Sequence, residues 1–241
     1  MSFAVRWTFL SMVAMLLAAP PARAQEVKAA HDAVEPVPRD SGWMKRHEAM
    51  NARVAQGNVD LVFIGDSITQ GWEGKGKDVW TEFYGKRNAV NLGIGGDRTQ
   101  HVIWRLDHGN LEGIKPELAV IMIGTNNASS NQPEEIADGI ERIVEQLKAK
   151  TPETKILLLG IFPRGATPDV PQRQVNEKTN AIVSKLADGA QVHYLDIGPR
   201  FLQDDGTLSK EIMPDLLHLS EKGYRIWAES IEPKVAELLE Q

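Results

Sequence analysis

Five short apolar runs, each followed by an amphipathic stretch, limit this chain to one broad architecture. The runs are residues 59–64, 89–92, 118–123, 155–161 and 192–196. They are short for buried helices and rich in Val, Ile and Leu, which fits strands covered on both faces. Around them, residues 43–55, 79–86, 98–107, 133–150, 171–187 and 222–239 carry apolar residues at helical spacing. Pro133 suits a first helical turn and Ser220 with Glu221 a helix start, whereas Pro233 should kink or break the last helix. Strand and helix alternating in this way, joined by right-handed crossovers, predict an α/β fold. It is a three-layer α/β/α sandwich, flavodoxin-like, on a five-stranded parallel sheet. The strand ends gather along one edge, where open sheets of this kind bind ligands.

A chain of 241 residues with 42% hydrophobic and 25% charged residues can bury a full core as one domain. Residues 1–24 read as a secretory signal peptide: one early positive charge at Arg6, an apolar run over 7–19, and the small-residue pattern Ala22-Arg23-Ala24. Residues 25–42, polar and containing Pro36 and Pro38, read as a linker or wrapped arm, and the folded domain spans 43–241. The expected location is therefore secreted or periplasmic. No stretch reaches the roughly 20 apolar residues of a spanning helix, so no integral membrane segment is expected in the mature chain. Loss of Arg6 and Arg23 without any acid takes the formal charge from −6 to −8, which disfavours nucleic-acid binding. Cysteine is absent, which excludes disulfides, thiolate chemistry and a lipid-anchoring cysteine.

The chemistry-bearing residues cluster at the predicted strand ends. After the first strand comes Gly65-Asp66-Ser67-Ile68, after the second Gly93-Ile94-Gly95-Gly96-Asp97, and after the third Gly124-Thr125-Asn126-Asn127. A hydroxyl is a poor nucleophile until a base takes its proton, and Asp215 with His218 is the pair that fits a base and its orienting acid. One turn after Pro214 would set the carboxylate against Nδ1–H and leave Nε2 facing Ser67. Gly96 N–H and the Asn126 amide suit a developing oxyanion. Plainer readings exist for each: a helix cap at Gly-Asp-Ser, turn glycines over 93–96, loop residues tolerating a left-handed backbone at Asn126 and above all Asn127, and at Asp215 to His218 a cap for a helix starting at Ser220 or no partner at all.

Other motifs fail on inspection. Gly93-x-Gly95 has Arg98 in place of a third glycine, and residues 65–72 lack the lysine of a phosphate loop, so no cofactor is expected. His47-Glu48 lacks the second histidine of a zinc-protease helix and reads as a solvated helical face; no metal is expected. His31, His101, His108 and His193 are scattered and unpaired. The Gly-x-Ser-x-Gly elbow is absent because Thr69 stands at its last position.

Ser67, Gly96, Asn126 and His218, in the blocks quoted above, resemble the four motif blocks of the SGNH (GDSL-type) hydrolases. Within them, residues 91–106 and Phe162-Pro163-Arg164-Gly165 are similar to the catalytic subunits of intracellular platelet-activating factor acetylhydrolase. The resemblance implies metal-free ester hydrolysis with Ser67 as nucleophile, His218 as base and Asp215 as its orienter. The implied oxyanion donors are Ser67 N–H, Gly96 N–H and the Asn126 side chain. Ile68 and Asn127 depart from the commonest family residues, Leu and Asp. An export signal departs further, from the cytosolic phospholipid role.

The expected substrate is a small-molecule or glycan ester carrying a short acyl group, acetyl foremost. Trp72 is a candidate for stacking on a sugar, against the plainer reading of a packed core residue. Two alternatives stay open: a lysophospholipase or thioesterase acting on longer chains, and a non-catalytic carbohydrate-binding module. The resemblance alone suggests a homodimer, for which Trp43 and Trp80 are contact candidates unless they pack in the core.

Overall fold

The computed structural model describes Met1 and residues 31–240, so the export signal read over 1–24 falls, Met1 aside, outside the described residues. Its strands are β1 Leu61–Gly65, β2 Ala89–Gly93, β3 Leu118–Met122, β4 Lys155–Leu159 and β5 Val192–Leu195. Its helices are α1 Ser41–Val54, α2 Ser67–Gln70, α3 Lys77–Tyr84, α4 Thr99–Asp107, α5 Pro133–Lys150, α6 Pro171–Val183 and α7 Glu221–Leu239. All strands are parallel, in the order β2-β1-β3-β4-β5, which is the flavodoxin order.

Alternation along the strands divides the core in two. Val62, Ile64, Ala119, Ile121, Ile156 and Leu158 face α1, α4, α5 and α6. Leu61, Phe63, Leu118, Val120, Leu157 and Leu159 face α3 and α7 across an aromatic layer of Trp72, Tyr84, Tyr224 and Trp227. Both faces being covered explains why the strands read as continuous apolar runs. Trp43 is buried in the first of these cores and Trp80 packs against the second, so core packing accounts for both.

Boundaries shift where side chains or turns take over the backbone. Gly57 and Asn58 have φ of 68° and 52°, so the chain is still turning there and β1 starts at Leu61. β4 stops at Leu159 because the Asn180 amide takes both backbone groups of Ile161, accepting from its N–H at 2.8 Å and donating to its carbonyl at 2.9 Å. The expected break at Pro233 does not occur, and α7 continues to Leu239. Ile231, Val235 and Leu238 are all buried, so the packed face crosses the proline. Each such side chain contributes about 1.5–3 kcal/mol, enough together to offset the roughly 3 kcal/mol that an interior proline costs.

Before α1, residues 31–40 run against α4 and α5. Ala33 is fully buried, its carbonyl accepting from Thr99 Oγ1 at 2.7 Å, and Asp32 accepts from Asn131 Nδ2 at 2.7 Å. Asp40 then caps α1, accepting from the N–H groups of Gly42 and Trp43 at 2.9 and 3.1 Å.

Candidate active site

In register, Gly65 at the end of β1 lies beside Gly93 of β2 and Met122 of β3. The chain departs from β1 in opposite directions to its two neighbours, which opens a crevice at these strand ends. A Cβ on Gly65 would meet Thr69 Oγ1 at 2.1 Å and the Met122 carbonyl at 2.4 Å. Glycine is therefore needed for α2 to fold straight back over the sheet edge. Asp66 caps that helix, accepting from Ile68 N–H at 2.9 Å, and Ser67 is its first residue.

Ser67 Oγ lies 2.8 Å from His218 Nε2, and His218 Nδ1 lies 2.6 Å from Asp215 Oδ2. The carboxylate next to Nδ1 assigns the proton to that nitrogen and leaves Nε2 as acceptor. Asp215 Oδ1 also accepts from the N–H groups of His218 at 2.7 Å and Leu217 at 3.1 Å. This tight loop needs Leu216 at φ 62°, a left-handed conformation that costs a leucine on the order of 1–3 kcal/mol. Burial works against the charged form of Asp215, but the bonds from the His218 ring and the two N–H groups outweigh it and hold the carboxyl below its usual range.

Two further loops brace this arrangement. Gly165 N–H donates to the Leu216 carbonyl at 2.8 Å, and Arg164 Nη1 donates to the Thr125 carbonyl at 3.0 Å. The 162–165 segment, singled out from sequence by its family likeness alone, thus ties the His218 loop to the one carrying Asn126. Gly96 stands at φ 77°, and among the described residues its N–H meets no acceptor. Asn126 Nδ2 donates to the Asp97 carbonyl at 2.9 Å and, more weakly, to Asp66 Oδ2 at 3.5 Å, so an incoming oxyanion would compete with the weaker of the two bonds.

Asn127 corrects its expected role. It is fully buried without a left-handed backbone, accepting from Thr99 N–H at 3.0 Å and donating to Asn131 Oδ1 at 3.0 Å. It joins the loops after β2 and β3. Trp72 is 1% exposed, its ring centroid 4.6 Å from that of Tyr224 and 5.0 Å from that of Trp227, so it has no face for a sugar. Nor is His47 on a solvated face: it is buried, stacks on Trp43, and its Nε2 lies 2.8 Å from the His108 carbonyl. Three of the four histidines read as scattered and unpaired also find neighbours. His31 reaches Asp138 at 3.3 Å, His101 accepts from Arg98 N–H at 2.9 Å, and His108 stacks on Trp104.

Among the described residues no cluster of three His, Asp or Glu side chains could hold a metal, and no helix is long and apolar enough to cross a membrane. A cleft of about 380 Å³ lined by Lys75, Pro214, Asp215, His218 and Leu219 opens beside the imidazole. A larger one of about 450 Å³, between α1, α3 and the edge of β2, includes neither Ser67 nor His218.

Fully buried Asp66 yields a stability prediction. Burial pushes its carboxyl up to about 7 from 3.8, the Ile68 N–H opposing and Asp97 adding to the rise. Between those values the folded state holds the proton and the unfolded state does not, so stability falls as pH rises across the window. Full loss of that preference corresponds to up to about 4 kcal/mol. Asp66→Asn should flatten this slope in denaturant titrations from about pH 4 to 7; an unchanged slope would show that Asp66 is not its source.

A doubly wound parallel sandwich with a serine hydroxyl bonded to an imidazole at its switch point has the make-up of a carboxylic ester hydrolase. The model of the GDSL-like Lipase/Acylhydrolase family matches residues 63–226. The platelet-activating factor acetylhydrolase IB subunit alpha2 of Rattus norvegicus is 39% identical over 210 residues, 87% of this chain and 90% of that protein. This chain belongs to the GDSL-like lipase/acylhydrolase family. Among solved structures, one described as a platelet activating factor from Streptococcus pneumonia superposes with a TM-score of 0.67 at 25% identity, covering 80% of this chain and 94% of that one. A carbohydrate acetylesterase family member from Sinorhizobium meliloti shares the fold, with a TM-score of 0.60 at 18% identity over 75% of this chain and 99% of its own.

Proposed function

We propose that the chain is an exported serine esterase that removes short acyl groups, acetyl foremost, from small-molecule or glycan esters. The observation carrying this reading is the Ser67–His218–Asp215 relay, 2.8 Å and then 2.6 Å. His218 Nε2 takes the Ser67 proton as Oγ attacks the ester carbonyl. The tetrahedral oxyanion is held by Ser67 N–H, Gly96 N–H and the Asn126 amide, and the C–O bond breaks as His218 protonates the departing alkoxide. Water, deprotonated by His218, then attacks the acyl-Ser67 ester, and collapse releases the carboxylic acid and restores the serine.

Exposure supports hydrolysis at an open site. The side chains of His218 and Asp215 are 44% and 57% exposed, which leaves the imidazole open to water. The cleft beside them is lined by Pro214 and Leu219 as well as by Lys75, Ser220 and Glu221, so it offers both apolar and polar contacts to an ester. Acetyl as the acyl group is supported by the relatives named acetylhydrolase, and a glycan as the alcohol by the export signal read in residues 1–24.

The test is hydrolysis of p-nitrophenyl esters from acetyl to long acyl chains, beside a Ser67→Ala control. Ser67-dependent turnover should peak at acetyl. A peak at long chains would replace this reading with the lysophospholipase or thioesterase one, and absence of Ser67-dependent turnover would favour the carbohydrate-binding module.

A further inference from the structure

Arg39 precedes the α1 cap on the arm, about thirty residues before the first motif block, yet its guanidinium lies at the loop after β2. Nη1 donates to the Gly95 carbonyl at 2.8 Å, and a Cβ on Gly96 would meet Nη1 and Nη2 at 3.1 Å each. The Gly95 carbonyl and the Gly96 N–H belong to one planar trans peptide and point in opposite directions. A cation on the carbonyl therefore fixes the direction of the N–H on the other side and draws electron density from it, strengthening it as a donor.

We propose that Arg39 is a positioning residue of the oxyanion hole, holding and polarising the Gly95–Gly96 peptide so that the Gly96 N–H is set for the tetrahedral intermediate. The inference rests on the reading of Gly96 N–H as an oxyanion donor in a Ser67 esterase.

Three features support this role over an ordinary surface ion pair. Asp97, the carboxylate nearest Arg39, is already served inside the core by Arg105 Nε at 2.9 Å and Trp43 Nε1 at 2.7 Å; Arg39 adds only a 3.4 Å contact. Arg39 Nε and Nη2 have no acceptor among the described residues, and its side chain is 30% exposed, so its charge remains beside Gly96. The arm is also anchored on both sides of the residue, by Asp32 and Ala33 upstream and by the Asp40 cap downstream. Pro36 and Pro38 stiffen the span between, which lowers the entropy lost in holding Arg39 in place. The preceding peptide is fixed in a similar way, Gly95 N–H donating to Gln70 Oε1 at 2.7 Å.

The experiment compares Arg39→Ala and Arg39→Lys in the full chain with wild type, Ser67→Ala and Asn126→Ala, on neutral p-nitrophenyl acetate. Loss of a whole oxyanion donor costs about 10²–10³ in rate, the fall expected of Asn126→Ala; weakening one donor should cost less, about 10-fold or somewhat more in kcat for Arg39→Ala. KM should stay within about twofold, as for an interaction made only in the transition state. The melting temperature should be unchanged, Arg39→Lys should recover part of the rate, and millimolar guanidinium should raise kcat of Arg39→Ala but not of wild type. The inference is overturned if Arg39→Ala keeps wild-type kcat, if the loss lies in KM, or if it follows a drop in melting temperature, while turnover still depends on Ser67. Absence of Ser67-dependent turnover in the wild type would instead remove the esterase mechanism on which it rests.

Discussion

His218→Ala should lose as much turnover as Ser67→Ala, and the double variant should lose no more than either. The expected fall is on the order of 10⁶ in kcat, the scale seen when a serine nucleophile or its base is removed from a hydrolase of this type. The reason lies in the coupling of the two groups. Without His218 the hydroxyl keeps its proton, and without Ser67 the imidazole has nothing to activate, so either deletion removes the same step. The 2.8 Å contact joins residues 151 positions apart, on α2 and on the loop before α7. Those segments are fixed independently, by Gly65 and the Asp66 cap on one side and by Leu216 and Gly165 on the other. Either alanine should therefore fold with wild-type melting behaviour. A single-turnover assay with a p-nitrophenyl ester measures this. Multiplying losses in the double variant would show that Ser67 and His218 act separately and would remove the relay from the mechanism.

What the sequence disclosed and what it withheld separate by the range of the interaction. The five strands were legible because a sheet covered on both faces needs apolar runs, and each run carries its own evidence. The meeting of Ser67 with His218 was legible because parallel strands bring all their following loops to one edge, and Asp215 lies only one turn from His218. Asn127 and His47 were misread, and Trp72 was left between two readings, because their surroundings are made by distant segments. Asn127 is buried by Thr99 and Asn131, Trp72 by Tyr224 and Trp227, and His47 by Trp43 and the turn at His108. No local pattern encodes such contacts. Arg39 is the extreme case: a polar arm containing two prolines reads as linker, and it is the packing of Ala33 and Asp32 that brings its guanidinium to Gly95. The break expected at Pro233 erred in the opposite way, a strong local preference overridden by buried Ile231, Val235 and Leu238.

Asp215→Asn is the change that should cost about 10⁴ in kcat with little loss of stability, because it reverses the imidazole's tautomer without disturbing its position. An asparagine has one acceptor oxygen and one donor nitrogen, and the local backbone decides which goes where. Oδ1 of Asp215 accepts from two N–H groups, those of Leu217 and His218, at 3.1 and 2.7 Å. Placing the amide nitrogen there would set its hydrogens against both, so the oxygen must stay and the nitrogen must face His218 Nδ1. Nδ1 then becomes the acceptor and Nε2 carries the proton, facing Ser67 Oγ with a hydrogen where a lone pair is needed. The amide cannot flip to rescue the site, and that sets the size of the effect. Asp215→Ala leaves the ring free to take either tautomer, so it should be the more active of the two despite removing more atoms. KM for p-nitrophenyl acetate should barely move in both, since neither variant alters the cleft walls beyond position 215. If Asp215→Asn retained more than about a tenth of wild-type kcat, His218 would have to be oriented by something other than this carboxylate.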